Sequence, residues 1–124
     1  MNIHHAREVA DDWDEARAEL TRAFQMAQEA ARAEENFVFV VHHDDLLGRR
    51  GMGNAMVATG LLSAARTAAI EGSRKGWAAN VVAFDDDADP DVVQAWAERL
   101  AEDPAGVTGE LIRLGSSHLG KALP

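Results

Sequence analysis

Four consecutive residues with metal-binding side chains, His42-His43-Asp44-Asp45, directly follow an apolar run of the chain. Imidazole and carboxylate groups together can ligate a divalent metal ion. Neighbouring residues of an extended chain point to opposite sides, however, so four in a row rarely bind one ion. We therefore expect a solvated loop here, and keep a metal site and an altered ligand pocket as alternatives.

A glycine-rich segment with two cations, residues 48–53 (GRRGMG), comes shortly afterwards and precedes a predicted helix. In dinucleotide-binding proteins such a loop brings the phosphates to a helix N-terminus, and an acid such as Asp85 at the end of the next strand holds the ribose. The stretch between Val41 and Gly53 is longer than a tight Rossmann turn, and its glycine spacing fits neither usual fingerprint. Small-ligand or nucleotide binding through Arg49 and Arg50 is thus an alternative rather than the main prediction.

An acidic segment at residues 85–91 could suggest a calcium loop, but it lacks the glycine and glutamate that an EF-hand needs at its sixth and twelfth positions. Pro90 is suited to the first position of a helix. We predict a charged turn that caps a helix beginning there. The terminal histidines His4, His5 and His118 are expected to be exposed to solvent.

Composition restricts the classes of partner. A net charge of -9 argues against nucleic acid and against an anionic membrane surface. The absence of cysteine excludes disulfides and thiolate catalysis. The sequence has no apolar run of membrane-spanning length and begins without the apolar stretch of a signal peptide, so we expect a cytoplasmic protein. The length of 124 residues favours a single domain over 1–124.

The apolar pattern predicts an α/β fold. Strands that alternate with helices imply a parallel sheet with right-handed crossovers. We expect a three-layer, Rossmann-like half domain with a small sheet of about three strands and flanking helices. The predicted helices cover 11–35, 54–73 and 90–103, the predicted strands cover 37–41, 78–84 and 109–114, and a polar loop covers 42–53.

The predicted helix over 54–73 is apolar on nearly all sides. One sheet covers only one face of a helix, so a helix of this kind needs a second apolar neighbour. Its alanines would let another helix approach closely. This pattern indicates an interface with a partner.

Four segments, in the same order, resemble the C-terminal half of the short-chain dehydrogenase/reductase family. Residues 59–71 are similar to the family's active-site helix, 74–83 to its following strand, with Asn80 at the family's Asn, and 100–112 to its Thr-Gly ending. Residues 12–24 are similar to the helix that precedes the active site. The four segments are 12–24 (DWDEARAELTRAF), 59–71 (TGLLSAARTAAIE), 74–83 (RKGWAANVVA) and 100–112 (LAEDPAGVTGELI).

The resemblance implies a catalytically degenerate relative. The family's Tyr-x-x-x-Lys pair falls on Asn54 and Ala58, its Ser near His42 or His43, and its helix Asn near Glu19; the chain contains no tyrosine. An Asn side chain does not titrate usefully, so it cannot replace a phenol in acid–base catalysis. The family's N-terminal cofactor-binding unit has no counterpart in these segments. We therefore expect no catalytic residues, no bound cofactor and no activity of the chain on its own.

The resemblance also implies a partner, because family oligomers commonly pair these two helices across a two-fold axis. We predict a homodimer or a hetero-oligomer with a full-length dehydrogenase relative, in which the chain is a structural or regulatory subunit. One chain of a split NAD(P)-dependent oxidoreductase is the alternative. The expected interface residues are Leu20, Phe24, Leu61, Ala65 and Ala68.

Overall fold

The central sheet is parallel and has four strands. The computed structural model describes residues 1–116. Strands β2 (Phe37–His42) and β3 (Ala79–Phe84) form its middle, with Phe37 paired to Ala79 and His42 to Phe84. All six residues of β2 are buried, as expected for an apolar run with a helical layer on each side. Strands β1 (Ile3–His5) and β4 (Leu111–Leu114) complete the order β1-β2-β3-β4.

Three long helices cover the two faces of this sheet. Helices α1 (Trp13–Arg32) and α3 (Met52–Ser73) share one core with the side chains of Phe37, Phe39 and Val41. Helix α4 (Pro90–Glu102) packs on the other face against Val38, Val40 and Val82. The arrangement confirms the predicted three-layer, Rossmann-like α/β fold.

Local capping explains where two of the helices begin. Asp12 accepts hydrogen bonds from the backbone N–H groups of Asp14 and Glu15 at the start of α1. Asp89 does the same for Asp91, with Pro90 as the first residue of α4. The predicted capping turn before Pro90 is therefore confirmed.

Two regions differ from the sequence prediction. Strand β1 is an addition to it, because three residues are too few to show a strand pattern. The prediction of a solvated loop over 42–45 is wrong: His42 ends β2, and the following residues form a short helix, α2 (His43–Leu46), with His43, Asp45 and Leu46 buried. Of the predicted polar loop over 42–53, residues 47–51 remain as a turn. Asp44 and Asp45 lie in the first turn of α2, and the His42 side chain accepts a hydrogen bond from the backbone N–H of Asp44. Both features favour a helix at residues whose polar character predicts a loop.

The end of α3 fits tightly against the strand that follows. A Cβ atom on Gly72 would clash with the backbone oxygen of Trp77 and lie 2.6 Å from atoms of its ring. Trp77 is buried in the α1–α3 core, whereas Trp13 and Trp96 are exposed on the helices. Glycine at position 72 therefore allows the chain to turn from α3 into β3 at close range.

Among residues 1–116, no helix has both the length and the apolar character needed to cross a bilayer. The expectation for His118 lies outside these residues.

Candidate functional site

Glu19, at one of the four positions that the resemblance assigns to catalysis, uses both oxygens of its carboxylate in contacts within the chain. It lies on α1, fully buried, and its Oε2 accepts from the backbone N–H of Arg7 at 2.9 Å and contacts His4 Nε2 at 2.7 Å. Its Oε1 accepts two hydrogen bonds from Arg22, at 2.8 and 3.1 Å. His4, expected to be exposed, is instead part of this cluster on β1.

The charge of Glu19 is stabilised by these contacts. Burial by itself raises the pKa of a carboxyl group, but the hydrogen bonds from Arg7, His4 and Arg22 outweigh it, so the pKa of Glu19 lies below its ordinary value. An ionised carboxylate with both oxygens near donors holds β1 against α1. It is a structural group rather than one open to a substrate.

Asn54 and Ala58, placed at the Tyr and Lys positions by the resemblance, lie on the buried side of α3. The Oδ1 atom of Asn54 accepts from the backbone N–H of Val9 at 2.8 Å, and its Nδ2 donates to the backbone oxygen of Arg50 at 3.0 Å. Ala58 belongs to the core formed by α1, α3 and the sheet. Both ends of the Asn54 amide are therefore used to attach the 9–11 segment and the 48–51 turn to the helix.

His43, at or next to the family's Ser position, is fully buried in α2. Glu19, His43, Asn54 and Ala58 are thus all between 0 and 4% exposed. A general acid or base must be within reach of its substrate. The structure gives none of these four side chains such an opening.

The glycine-rich loop contacts a carboxylate of the same chain. Asp11 Oδ1 accepts from the backbone N–H of Gly53 at 2.9 Å, in the first turn of α3. A Cβ atom on Gly53 would lie 2.8 Å from the backbone oxygen of Ala10. The glycine thus permits the 9–11 segment to approach, and Asp11 occupies the position at the helix N-terminus that a phosphate takes in dinucleotide-binding proteins.

The two cations of that loop are also engaged. Arg50 donates two hydrogen bonds to Asp45, at 2.9 and 3.1 Å, and this contact raises the pKa of Arg50 above its ordinary value. Arg49 lies 3.4 Å from the carboxylate of Asp44. The carboxylates of α2 therefore neutralise the residues that the nucleotide alternative would use.

The metal candidates divide into two groups. His42 and Asp44 come together with Asp86 from the turn after β3, with ligand atoms within 4.8 Å of one another, while Asp45 pairs with Arg50. His42 Nδ1 accepts from the backbone N–H of Asp44 at 3.1 Å, which places the proton of the neutral ring on Nε2, 2.8 Å from Asp86 Oδ1. Metal ligation needs a free ring lone pair, and taking Nδ1 would break the cap of α2. We interpret the cluster as a hydrogen-bonded junction between β2 and β3.

The acidic turn uses its carboxylates in a similar way. Asp85 is buried and its Oδ1 accepts from the backbone N–H of Asp87 at 3.1 Å. Asp87 in turn accepts from the backbone N–H of Ser116 at 3.1 Å, beyond β4. These contacts connect the turn to the end of the described chain and fit the predicted capping role better than a calcium loop.

The predicted interface residues separate into buried and accessible sets. Leu61 and Ala65 are 3% and 1% exposed and belong to the core, so they are not available to a partner. Phe24 is 62% exposed, and Leu20 and Ala68 are partly buried. Phe24 and Ala68 border a groove of about 510 Å³ between α1 and α3, whose lining also includes the side chains of Ala27, Ala31, Phe37 and Ala64.

Several residues of these clusters carry no signal in the sequence. Asp11, Asp86 and Val9 make contacts across 42 to 45 positions of the chain. No local pattern indicates such a contact. The sequence indicates only that Asp11, an acid shortly before a predicted helix, could cap α1.

Comparison with solved structures finds proteins of the same architecture. An oxidoreductase of the short-chain dehydrogenase/reductase family from Burkholderia thailandensis is 22% identical, with a TM-score of 0.78 over 96% of this chain. A short-chain dehydrogenase from Mycobacterium smegmatis is 22% identical, with a TM-score of 0.71 over 97% of the chain. A citronellol catabolism dehydrogenase from Pseudomonas aeruginosa is 19% identical, with a TM-score of 0.68 over 90%. No protein-family model and no curated protein matches the sequence.

The chain spans 58 to 64% of the length of these three proteins. Identities of this size report on fold, and the agreement extends over nearly all of the chain. The resemblance of the four sequence segments and the structural similarity therefore lead to one conclusion: the chain has the fold of the short-chain dehydrogenase/reductases, over a little under two thirds of their length.

Proposed function

We propose that the chain is a non-catalytic protein of the dehydrogenase fold, which acts by association with another protein through the outer face of α1 and α3. One observation carries the non-catalytic part. The residues at the four family positions, Glu19, His43, Asn54 and Ala58, are buried, and Glu19 and Asn54 are fully engaged within the chain.

The chemistry of these side chains supports the same proposal. The amide of Asn54 cannot act as a general acid or base near neutral pH, and Ala58 offers no charge to lower the pKa of a neighbour. The carboxylate of Asp11 at the start of α3, and the acidic partners of Arg49 and Arg50, would repel a cofactor phosphate.

The surface of the helix pair supports the association part. Phe24 on α1 and Ile70 on α3 are both exposed, and an apolar groove lies between the helices. Exposed apolar groups rimmed by polar residues are typical of protein interaction sites. The candidate partners are a second copy and a full-length dehydrogenase relative.

Cofactor titration tests the non-catalytic part. Thermal denaturation with NADH or NADPH at roughly millimolar concentration should show no stabilisation, because a ligand that binds the native state raises its melting temperature. Assays of NAD(P)H oxidation should show no turnover by the chain alone. Saturable stabilisation would contradict the proposal, and turnover that appears only on mixing with a relative would favour the split oxidoreductase instead.

Two matched substitutions test the association part. Phe24→Glu and Trp96→Glu each place a carboxylate at an exposed aromatic residue, on opposite faces of the sheet. Sedimentation velocity and a binding assay with a purified full-length relative should show loss of association for Phe24→Glu alone. A stable wild-type monomer at micromolar concentration that also fails to bind the relative would refute this part.

A further inference from the structure

The groove between α1 and α3 has the size and composition of a small-molecule site. Its volume is about 510 Å³, and much of its lining consists of alanine and phenylalanine side chains. Phe37, from β2, is 1% exposed, whereas Phe24 and Ala64 are exposed on the helices. Sites for small molecules are typically clefts of about 300 to 1,000 Å³, mainly apolar, with a few polar groups that fix the orientation of the ligand.

The charged groups of the groove lie where both helices end. Arg32 is the last residue of α1, Glu71 lies in the last turn of α3, and Lys75 follows that helix by two residues. Two positive charges and one negative charge give this end of the groove a sum of +1, in a chain whose net charge is -9. A ligand with one negative charge matches that sum.

The two cations at this end are not engaged within the chain. Four other arginines pair with carboxylates, namely Arg17, Arg22, Arg49 and Arg50. In the described part of the chain, residues 1–116, the side chains of Arg32 and Lys75 make no hydrogen bond and no ion pair. A carboxylate bound here would gain charge-assisted hydrogen bonds, and its two oxygens suit the fork of a guanidinium group.

We infer that the groove binds a free amphipathic carboxylate, with the apolar chain against Phe37 and the alanines and the head group at Arg32 and Lys75. From Phe24 to Arg32, α1 rises roughly 12 Å at 1.5 Å per residue. An extended chain of about eight to ten carbons, with bonds of about 1.5 Å, reaches that length. The inference goes beyond the proposed function, because it assigns a ligand to the chain alone. Competition between this ligand and a partner for Phe24 is a consequence that rests on the proposed function.

Calorimetric titration with straight-chain carboxylates tests the site. We expect saturable binding of one decanoate per chain. The affinity should rise by roughly two- to fourfold for each CH2 group between hexanoate and decanoate, because each group buries further apolar surface. Decyltrimethylammonium has the same apolar tail and the opposite charge, and it should bind at least about tenfold more weakly than decanoate.

Two matched pairs of variants locate the site. Ala64→Phe places a ring in the groove and should weaken decanoate binding by about tenfold or more, whereas Ala95→Phe, on the exposed surface of α4, should not. Lys75→Glu should weaken binding by about fivefold or more. Arg74→Glu makes the same change of charge one position away, at a residue that does not line the groove, and should change the affinity by less than about twofold. Circular dichroism checks that all four variants are folded.

Three results would overturn the inference. The first is no saturable binding of decanoate at roughly millimolar concentration. The second is equal binding by the wild type, Ala64→Phe and Lys75→Glu, which would mean that the cations only stabilise the helix ends. The third is tighter binding of decyltrimethylammonium than of decanoate. All titrations use the chain without a partner, so a failure here leaves the proposed association standing, and a failure of association leaves this site standing.

Discussion

The two faces of the sheet use polar residues in different ways. On the α1–α3 face, Glu19 and Asn54 are buried among apolar side chains and hold distant segments through several hydrogen bonds. On the α4 face Val38, Val82 and Leu100 pack together, and the charged residues of the helix lie at the surface. One buried polar side chain on this face is that of Asn80, which bonds to the backbone of Val107 and Glu110 in the segment before β4. The first face corresponds to the catalytic side in the family resemblance.

The two faces are therefore held together differently. The α4 face is held mainly by apolar packing, and its surface is acidic. The α1–α3 face has polar groups at positions that the resemblance assigns to catalysis, and their hydrogen bonds run within the chain. Substitutions on the two faces should therefore have unequal effects.

The largest effect is expected for Glu19→Ala. Removing the carboxylate leaves the partly exposed Arg22 guanidinium and the N–H of Arg7 without their buried acceptor, so the free energy of unfolding should fall by about 3 kcal/mol. Urea denaturation followed by circular dichroism measures this. Glu98→Ala, on the exposed surface of α4, is the matched control and should change stability by less than about 0.5 kcal/mol. Equal effects would remove the distinction between the faces.

A smaller loss is expected for Gly72→Ala. The added methyl group meets the backbone and ring of Trp77, and overpacking of this kind costs about 1 to 3 kcal/mol. On the same helix, a Cβ atom at Gly60 would lie 3.6 Å from Leu20 Cδ2, an ordinary contact. Gly60→Ala should therefore stabilise the protein by about 0.5 to 1 kcal/mol through helix propensity. A stabilising Gly72→Ala would show that the junction between α3 and β3 is looser than described.

The smallest expected effect is a pH dependence of the unfolding free energy, which should amount to a fraction of the loss in Glu19→Ala. Because the pKa of Glu19 is lowered in the folded state, the unfolded chain binds the proton more readily in the acid range. The contribution is complete above the ordinary glutamate pKa of about 4.3 and is lost as the pH falls through the lower folded value. The difference in unfolding free energy between wild type and Glu19→Gln should accordingly narrow below about pH 4.3. A difference that widens there would mean that the folded carboxyl binds its proton more tightly than the unfolded one.

Most of the fold is predictable because the apolar residues of its helices and strands recur at regular spacing. The site is less predictable because its hydrogen bonds join residues that are far apart in the sequence. The apolar runs of β2 and β3 and the stripes of α1 and α4 have recognisable length and spacing, so their positions follow from the sequence. The contacts of Asp11 with Gly53 and of His42 with Asp86 depend on which elements are neighbours in space. For the same reason the glycines of residues 48–53 resemble a ligand loop in the sequence, although Gly53 fits against residues 9–11.

The amide of Asn54 has a consequence for any attempt to introduce a tyrosine at this position. A phenol at this position would fill the space of the Val9 backbone and would leave both that N–H and the Arg50 carbonyl without a partner. A single Asn54→Tyr substitution would thus lower the stability of the fold. In laboratory evolution, the segment over residues 9–11 would have to change before a tyrosine could be accommodated at this position.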